Sequence, residues 1–271
     1  MKTVGVFDSG VGGLSVLRAL LADMPDTRFV YVADSGHAPY GEREPAFVEQ
    51  RSAWITDWLR QQHAIDTLVV ACNTATALAI DALRRRHPDL PVVGVEPALK
   101  PAAALSRSGH VGVLATRGTL GSERFRRLQE RLCADAPHPL RFTSQACDGL
   151  ADAIERHESA TIEALCEQHL AALHRNASDG PPIDTLVLGC THYPFAMATW
   201  QRLCGPGVQL VDTATAIARR TREVLPGGST VAQGQSPLLY SSGPPDDLTR
   251  AAQRWLGLTQ AARSLGGGEA G

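Results

Sequence analysis

Two cysteines stand at matching points of a repeated segment. Residues 65–72 read IDTLVVAC and residues 183–190 read IDTLVLGC, so six of the eight positions are identical. Each run predicts a buried parallel strand that ends at Cys72 or Cys190, just before a helix begins. The amide groups and dipole of a helix N-terminus stabilise a thiolate, which can serve as a base. Either cysteine alone could be an apolar core residue, but their repetition at matched strand ends favours paired acid–base chemistry.

Polar side chains follow each cysteine. Asn73 and Thr74 come after the first, and Thr191 and His192 come after the second. Neutral amide and hydroxyl donors suit a substrate carboxylate. A histidine near its ordinary pKa can exchange a proton with Cys190 or with a substrate. We therefore expect the two cysteines to act on a small molecule that carries a carboxylate.

The first predicted strand ends in a carboxylate. Asp8 and Ser9 precede a glycine-rich turn, residues 10–13, which leads into a helix and lets the backbone approach a ligand closely. Asp8 therefore belongs to the same predicted sheet edge as Cys72, although Asp8 or Ser9 could instead cap the helix. A polar loop after the second strand, residues 34–41, could close over a ligand or be a plain turn.

Strands and helices alternate along the chain, which predicts an α/β fold with mostly parallel sheets. The predicted strands are residues 4–7, 29–33, 68–71, 92–95, 111–115, 186–189, 209–211 and 238–241. The predicted helices are residues 15–23, 45–63, 74–86, 122–134, 161–175, 214–225 and 246–256.

The repeat divides the chain into two related halves. A fainter echo relates VGVF at residues 4–7 to VGVL at residues 111–114, upstream of each cysteine segment. We predict two pseudo-symmetric α/β lobes whose sheets face a shared active-site cleft, because open sheets bind ligands at such places. The predicted division is residues 1–97 with 208–258 for the first lobe, residues 98–207 for the second, and residues 259–271 as a flexible, dispensable tail.

Four motifs together resemble the glutamate racemase family. They are FDSGVGG at residues 7–13, APYG at 38–41, ACNTA at 71–75 and GCTHYP at 189–194. The resemblance runs from about residue 4 to residue 225. It implies the two-lobed α/β fold of that family, chemistry without a cofactor, and interconversion of L- and D-glutamate that supplies D-glutamate for peptidoglycan.

The resemblance also implies roles for individual residues. Cys72 would remove the α-proton of D-glutamate with help from Asp8, and Cys190 would remove that of L-glutamate with help from His192. Glu155 matches a family glutamate near the second cysteine, although the preceding segment lacks the usual prolines of the family. The implied substrate contacts are Asp8, Ser9, Tyr40, Gly41, Asn73, Thr74, Thr116, Thr119, Thr191 and His192.

Composition excludes several classes of protein. The 271 residues are 44% hydrophobic and 20% charged, and a net charge of -2 creates no field that gathers nucleic acid. No signal-peptide pattern opens the sequence and no apolar run could span a bilayer, so we expect a cytoplasmic protein without a membrane partner. The sequence leaves the oligomeric state open, with a homodimer as one option.

Cysteine and lysine usage argues against metal and pyridoxal chemistry. The six cysteines show no CxxC pairs, which fits a reducing compartment and disfavours a metal site. A pyridoxal phosphate enzyme needs a lysine, and lysine occurs only at positions 2 and 100. We therefore expect no cofactor and no metal.

Three other functions compete with this interpretation. An aspartate or hydantoin racemase would share the paired cysteines and differ in pocket depth. A clamshell amino-acid binder would also have two α/β lobes around a cleft, but it does not explain the duplicated cysteines. A dinucleotide-dependent oxidoreductase rests on Gly10 and Gly12 followed by Asp34, but Ser15 replaces the third glycine of that pattern.

Overall fold

The structure is a computed structural model that describes residues 2–177, 180–225 and 236–266. The chain divides into two compact units. The first comprises Met1–Val95 and Ala214–Gly271, and the second comprises Glu96–Thr213. Each unit is an α/β structure around its own parallel sheet, as the alternation of strands and helices predicts.

The described residues form ten strands and eleven α-helices. The strands are β1 (Thr3–Asp8), β2 (Arg28–Ala33), β3 (Thr67–Val70), β4 (Val92–Gly94), β5 (His110–Ala115), β6 (Arg141–Ala146), β7 (Thr185–Gly189), β8 (Gln209–Val211), β9 (Leu238–Ser241) and β10 (Arg263–Ser264). The helices are α1 (Leu14–Asp23), α2 (Pro45–His63), α3 (Asn73–Arg86), α4 (Leu99–Leu105), α5 (Arg117–Leu120), α6 (Glu123–Asp135), α7 (Leu150–Arg156), α8 (Ser159–Asn176), α9 (Met197–Cys204), α10 (Ala214–Val224) and α11 (Pro245–Leu256).

The first unit is built on a six-stranded parallel sheet in the order β10-β9-β2-β1-β3-β4. Its strands are buried apolar runs, so helices must cover them. Helix α1 packs with α10 and α11, and α2 packs with α3. The apolar residues of α2 and α3 join those of the central strands in one core, which includes Phe7, Val70 and Cys72. The sheet edge that carries Cys72 is therefore rigidly supported.

The second unit repeats the central part of the first. Its four-stranded parallel sheet has the order β6-β5-β7-β8, which corresponds to β2-β1-β3-β4. The register is also the same, because Gly5 pairs with Leu68 and Gly112 pairs with Leu186, its counterpart in the repeat. A Cβ at either glycine would come within 3.0 Å of apolar side chains. The repeat therefore reflects a shared packing requirement, and the predicted pseudo-symmetry of the fold is confirmed.

The repeat also places an aspartate just before each cysteine-bearing strand, Asp66 before β3 and Asp184 before β7. Asp66 accepts hydrogen bonds from the amide of Thr3 at 2.8 Å and from Lys2 Nζ at 2.9 Å, at the start of β1. Asp184 accepts from the amides of Arg107 and Ser108, each at 2.8 Å, just before β5. Each carboxylate thus ties the segment before the central strand to the strand beside it.

Replacing Asp184 with asparagine is expected to destabilise the second unit in a pH-dependent way. Burial alone would raise the pKa of Asp184, but hydrogen bonds from Ser106 and the two amides lower it to about 2. A carboxylate with a lowered pKa stabilises the folded state above its unfolded value and loses that contribution as the pH falls toward 2. Urea unfolding should show a loss of about 1 kcal/mol at pH 7, after allowance for solvent screening.

The difference between wild type and Asp184→Asn should shrink as the pH is lowered below about 4. Glu163→Gln is the matched control, because Glu163 forms an exposed ion pair with Arg202 in the same unit and should change stability little. A destabilisation by Asp184→Asn that stays constant down to pH 3 would contradict this account.

The boundaries of the two units differ from the predicted ones. Strand β8 pairs with β7, so it belongs to the second unit and not to the first lobe as predicted. Residues 259–266 are not a dispensable tail, because β10 extends the first sheet and Leu265 is buried against its core. The rest of the predicted tail, residues 267–271, lies outside the described residues, as do residues 226–235.

Short elements were missing from the prediction. Strand β6 was not predicted because only Thr143 of its six residues is buried and the others are polar or partly exposed. Helices α4, α5, α7 and α9 are four to eight residues long and carry too few turns for a clear periodicity. Within the described ranges, no helix is both long enough and apolar enough to cross a membrane.

Candidate active site

Cys72 lies at the C-terminal edge of the first sheet. It follows β3 and is the N-cap of α3, where its sulfur accepts a hydrogen bond from the amide of Ala75 at 3.4 Å. The extended conformation of Cys72 and the first turn of α3 thus aim amide groups at the sulfur. This environment favours the thiolate.

Asp8 and Ser9 end the neighbouring strand β1 beside Cys72. Asp8 is completely buried, and its carboxylate accepts hydrogen bonds from the amides of Ser9, at 2.8 Å, and Gly13. The Ser9 hydroxyl lies 3.4 Å from Asp8 Oδ1 and 3.7 Å from the sulfur of Cys72. The Asp8 carboxylate therefore binds the turn that starts α1, and the Ser9 hydroxyl links this carboxylate to the thiol of Cys72.

Asn73 is the clearest candidate for ligand binding in the first unit. It is buried, and neither its amide nitrogen nor its amide oxygen has a hydrogen-bond partner among the described residues. An unsatisfied buried amide costs about 1–3 kcal/mol, which a bound ligand with polar groups would recover. Thr74, also buried, follows it in the first turn of α3.

The loop after β2 is more tightly built than the sequence predicted. The hydroxyl of Tyr40 donates to the buried carboxylate of Asp34 at 2.5 Å, and Arg51 donates to the same carboxylate. The Tyr40 hydroxyl is therefore used inside the fold, and the predicted substrate contacts of Tyr40 and Gly41 stay predictions. Asp34 is also unavailable to a nucleotide ribose, so the dinucleotide interpretation is wrong.

Cys190 occupies the equivalent edge of the second sheet, directly after β7. Its sulfur lies 3.6 Å from His192 Nδ1, and His192 Nε2 donates to Glu155 Oε1 at 2.7 Å. Glu155 comes from α7, and its side chain is 23% exposed while that of His192 is 6% exposed. The second unit therefore holds a Cys–His–Glu series in which Glu155 is at its outer end.

The hydrogen bonds of this series favour the protonated form of His192. Burial would lower the pKa of His192, but its hydrogen bonds with Cys190 and Glu155 raise that pKa well above the ordinary value. A protonated imidazole next to a thiol stabilises the thiolate. Other cysteines lack this support: burial raises the pKa of Cys166 to about 12 and that of Cys204 to about 11.

Three threonines complete the edge of the second sheet. Thr116 caps α5, and its hydroxyl lies 2.9 Å from that of Thr119, which is fully buried. Thr191, which stands between Cys190 and His192 in the sequence, is also buried. The hydroxyls of Thr116 and Thr119 thus pair with each other, and their predicted substrate contacts stay predictions.

The two cysteine environments are related but not identical. By the repeat, Ser9 corresponds to Thr116, whereas Asp8 corresponds to Ala115 and Thr74 to His192. The first cysteine is therefore linked through Ser9 to a buried carboxylate, and the second lies beside a histidine. The two thiols share a backbone position and differ in the group that assists them.

Sequence reasoning missed Arg51. Arg51 lies two turns into α2 with no local motif, and only the need of buried Asp34 for a cation could have indicated it. Tyr193, from the GCTHYP motif, is fully buried and donates to the carbonyl of Cys147 at 3.5 Å. Within the described ranges, no group of three or more His, Cys, Asp or Glu residues could hold a metal ion.

Each of the two related α/β units thus carries a cysteine directly after a central strand, with buried polar side chains next to it. A family model described as Asp/Glu/Hydantoin racemase matches residues 13–221. The chain belongs to this racemase family.

Individual relatives cover nearly the whole chain. Glutamate racemase of Pseudomonas aeruginosa is 44% identical over 251 residues, which are 91% of each chain. Among solved structures, glutamate racemase isoform RacE1 from Bacillus anthracis has a TM-score of 0.82 at 29% identity, covering 97% of this chain and 96% of that chain. Escherichia coli glutamate racemase, solved in complex with L-glutamate and the activator UDP-MurNAc-ala, has a TM-score of 0.79 at 32% identity, with coverage of 97% and 96%.

Proposed function

We propose that this chain, an isomerase of the racemase family, interconverts L-glutamate and D-glutamate with Cys72 and Cys190 as its two acid–base groups. The observation that carries the proposal is the repeat of one structural unit, which puts a cysteine at the same strand end twice. Relatives covering about nine tenths of the chain are glutamate racemases, and one solved relative binds L-glutamate. The product would supply D-glutamate for peptidoglycan in the cytoplasm.

Inversion at Cα needs two groups because the proton leaves one face and returns to the other. In the proposed reaction from D-glutamate, the Cys72 thiolate takes the α-proton and the Cys190 thiol donates its proton to the opposite face. The reverse reaction starts with the Cys190 thiolate and the Cys72 thiol. Each turnover therefore exchanges which sulfur carries the proton, and no group outside the pair gains or loses one.

The groups around each sulfur suit these roles. Protonated His192 would stabilise the Cys190 thiolate. Glu155 accepts a hydrogen bond from His192, which keeps the imidazole protonated and fixes its orientation. The Ser9 hydroxyl reaches the Cys72 sulfur and links it to Asp8. Glu155 is thus a positioning residue, whereas Cys72 and Cys190 would touch the reacting hydrogen.

The remaining polar groups suit the two carboxylates of glutamate. Removing a Cα proton leaves a carbanion next to the α-carboxylate, so donors at that carboxylate lower the barrier. The unsatisfied amide of Asn73 and the hydroxyls of Thr74 and Thr191 supply such donors. Ser9, the Tyr40–Gly41 main chain, and Thr116 with Thr119 are the further proposed contacts.

A substrate panel tests the proposed specificity. Purified protein should racemise L- and D-glutamate, followed by circular dichroism, with no added cofactor. Alanine lacks the second carboxylate and would leave donors unsatisfied, so its kcat/KM should be at least about a hundredfold lower. Aspartate and a hydantoin belong in the same panel because the family includes racemases for them. Turnover of aspartate or alanine at a rate close to that of glutamate would contradict the proposal.

A further inference from the structure

A buried ion pair lies beneath the Tyr40–Gly41 turn. Asp34 follows β2, and its amide donates to the carbonyl of Asp8 at 2.9 Å, so it sits at the same sheet edge as Cys72. The Asp34 side chain is completely buried. Arg51 donates two hydrogen bonds to this carboxylate in a forked arrangement, from Nε at 3.0 Å and from Nη2 at 2.7 Å.

Tyr40 joins this pair through its hydroxyl. The ring is 1% exposed, and the hydroxyl donates to Asp34 Oδ2 at 2.5 Å. Burial raises the pKa of Tyr40 well above its ordinary value, and the charge of Asp34 raises it further, so the hydroxyl stays protonated as a donor. The short helical turn Tyr40–Glu42 packs against α3, whose N-cap is Cys72.

Arg51 is fixed in turn by its own surroundings. Its side chain is 8% exposed, and its guanidinium lies 4.7 Å from the ring centroid of Trp54. Burial of Asp34 would raise the pKa of that carboxyl, but hydrogen bonds from Arg51 and Tyr40 outweigh burial and lower it. A lysine could supply the charge but not two parallel hydrogen bonds and ring stacking together.

We propose that Arg51 is a positioning residue for substrate binding: through Asp34 it holds the Tyr40 hydroxyl, and thereby sets the turn of Tyr40 and Gly41, whose main chain is the proposed substrate contact. The inference rests on the proposed glutamate racemase activity and adds to it a residue that lies outside the reacting groups. It also changes the role of Tyr40, whose side chain anchors the turn and whose main chain is left as the proposed substrate contact.

Two conservative variants and their combination test this role. Tyr40→Phe removes only the hydroxyl, and Arg51→Lys keeps the charge but removes the fork. Each should raise KM for both glutamate enantiomers about tenfold, the effect of losing one well-placed hydrogen bond, while kcat changes much less. Because both act through Asp34, the double variant should raise KM no more than the larger single change does.

Controls separate positioning from general damage. Arg60→Lys alters an ion pair with Asp89 near the other end of the same helix and should leave KM unchanged. Amide hydrogen exchange of the ligand-free protein should rise in a peptide covering residues 38–43 in Arg51→Lys and stay at the wild-type level in Arg60→Lys. The melting temperature of each variant, compared with that of the wild type, shows whether the variant is folded.

Three results would overturn the inference. One is an unchanged KM in Arg51→Lys together with a raised KM in Tyr40→Phe, which would mean that the hydroxyl contacts the substrate directly. The second is a double variant whose KM increase is the product of the two single increases. The third is an unchanged KM in both single variants. Absence of glutamate racemisation in the wild type would instead contradict the proposed function.

Discussion

Replacing Cys72 or Cys190 with alanine is expected to lower kcat/KM for glutamate racemisation by at least about a thousandfold. Each variant keeps one sulfur, so one face of the substrate has no acid or base. Because the two enantiomers are equal in free energy, kcat/KM must fall by the same factor in both directions. Circular dichroism of reactions started from each enantiomer measures this loss.

The matched control for these variants is Cys133→Ala. Cys133 is exposed on α6, and burial of part of its side chain raises the pKa of its thiol. Its replacement should leave both kcat and KM unchanged. Wild-type activity in Cys72→Ala or Cys190→Ala, with the protein folded as judged by its melting temperature, would contradict the two-cysteine mechanism.

Replacing Glu155 with glutamine should weaken catalysis through His192. The carboxylate raises the pKa of His192, so its loss should lower that pKa and reduce the fraction of protonated imidazole at neutral pH. The expected fall in kcat/KM is roughly tenfold to a hundredfold. The alkaline limb of the pH profile, where the imidazolium loses its proton, should move toward lower pH.

Isotope effects show which half of the reaction is affected. With deuterium at Cα, proton removal by Cys190 should become more rate-limiting in Glu155→Gln, so the isotope effect should rise more from L-glutamate than from D-glutamate. Asp152→Asn is a suitable control, because Asp152 forms an exposed ion pair with Arg156 on the same helix. An unchanged pH profile in Glu155→Gln would exclude this role for Glu155.

Most of the fold follows from apolar periodicity and from the repeat. The central strands are fully buried apolar runs, and the glycine and aspartate positions of the repeat have matching contacts in both units. The contacts of these glycines and aspartates are distant in sequence, but the repeat marks their positions, and the strands themselves depend only on their own residues and on near neighbours in sequence. Strand β6 and helix α7 do not, because their polar or short sequences are held in place by packing against α8.

The site was predictable where a strand end fixes the position of a residue. Cys72, Cys190 and Asp8 are at predicted strand ends, and local spacing places His192 beside Cys190. Arg51 illustrates the opposite case, because it reaches Asp34 only when α2 folds back over β2. The distance between Glu155 and His192 likewise depends on how α7 packs, so the sequence indicated the residue without its contact.

The direct test of the central claim is deuterium incorporation during the first few per cent of conversion in deuterated water. In the two-cysteine mechanism, the protium removed from L-glutamate stays on one sulfur while the other sulfur delivers deuterium from solvent to the opposite face. D-glutamate formed early should therefore carry deuterium at Cα, and recovered L-glutamate should carry almost none. The same pattern should hold with the enantiomers exchanged. Substantial early deuterium in the recovered starting enantiomer, in both directions, would show a single exchanging base and contradict the account.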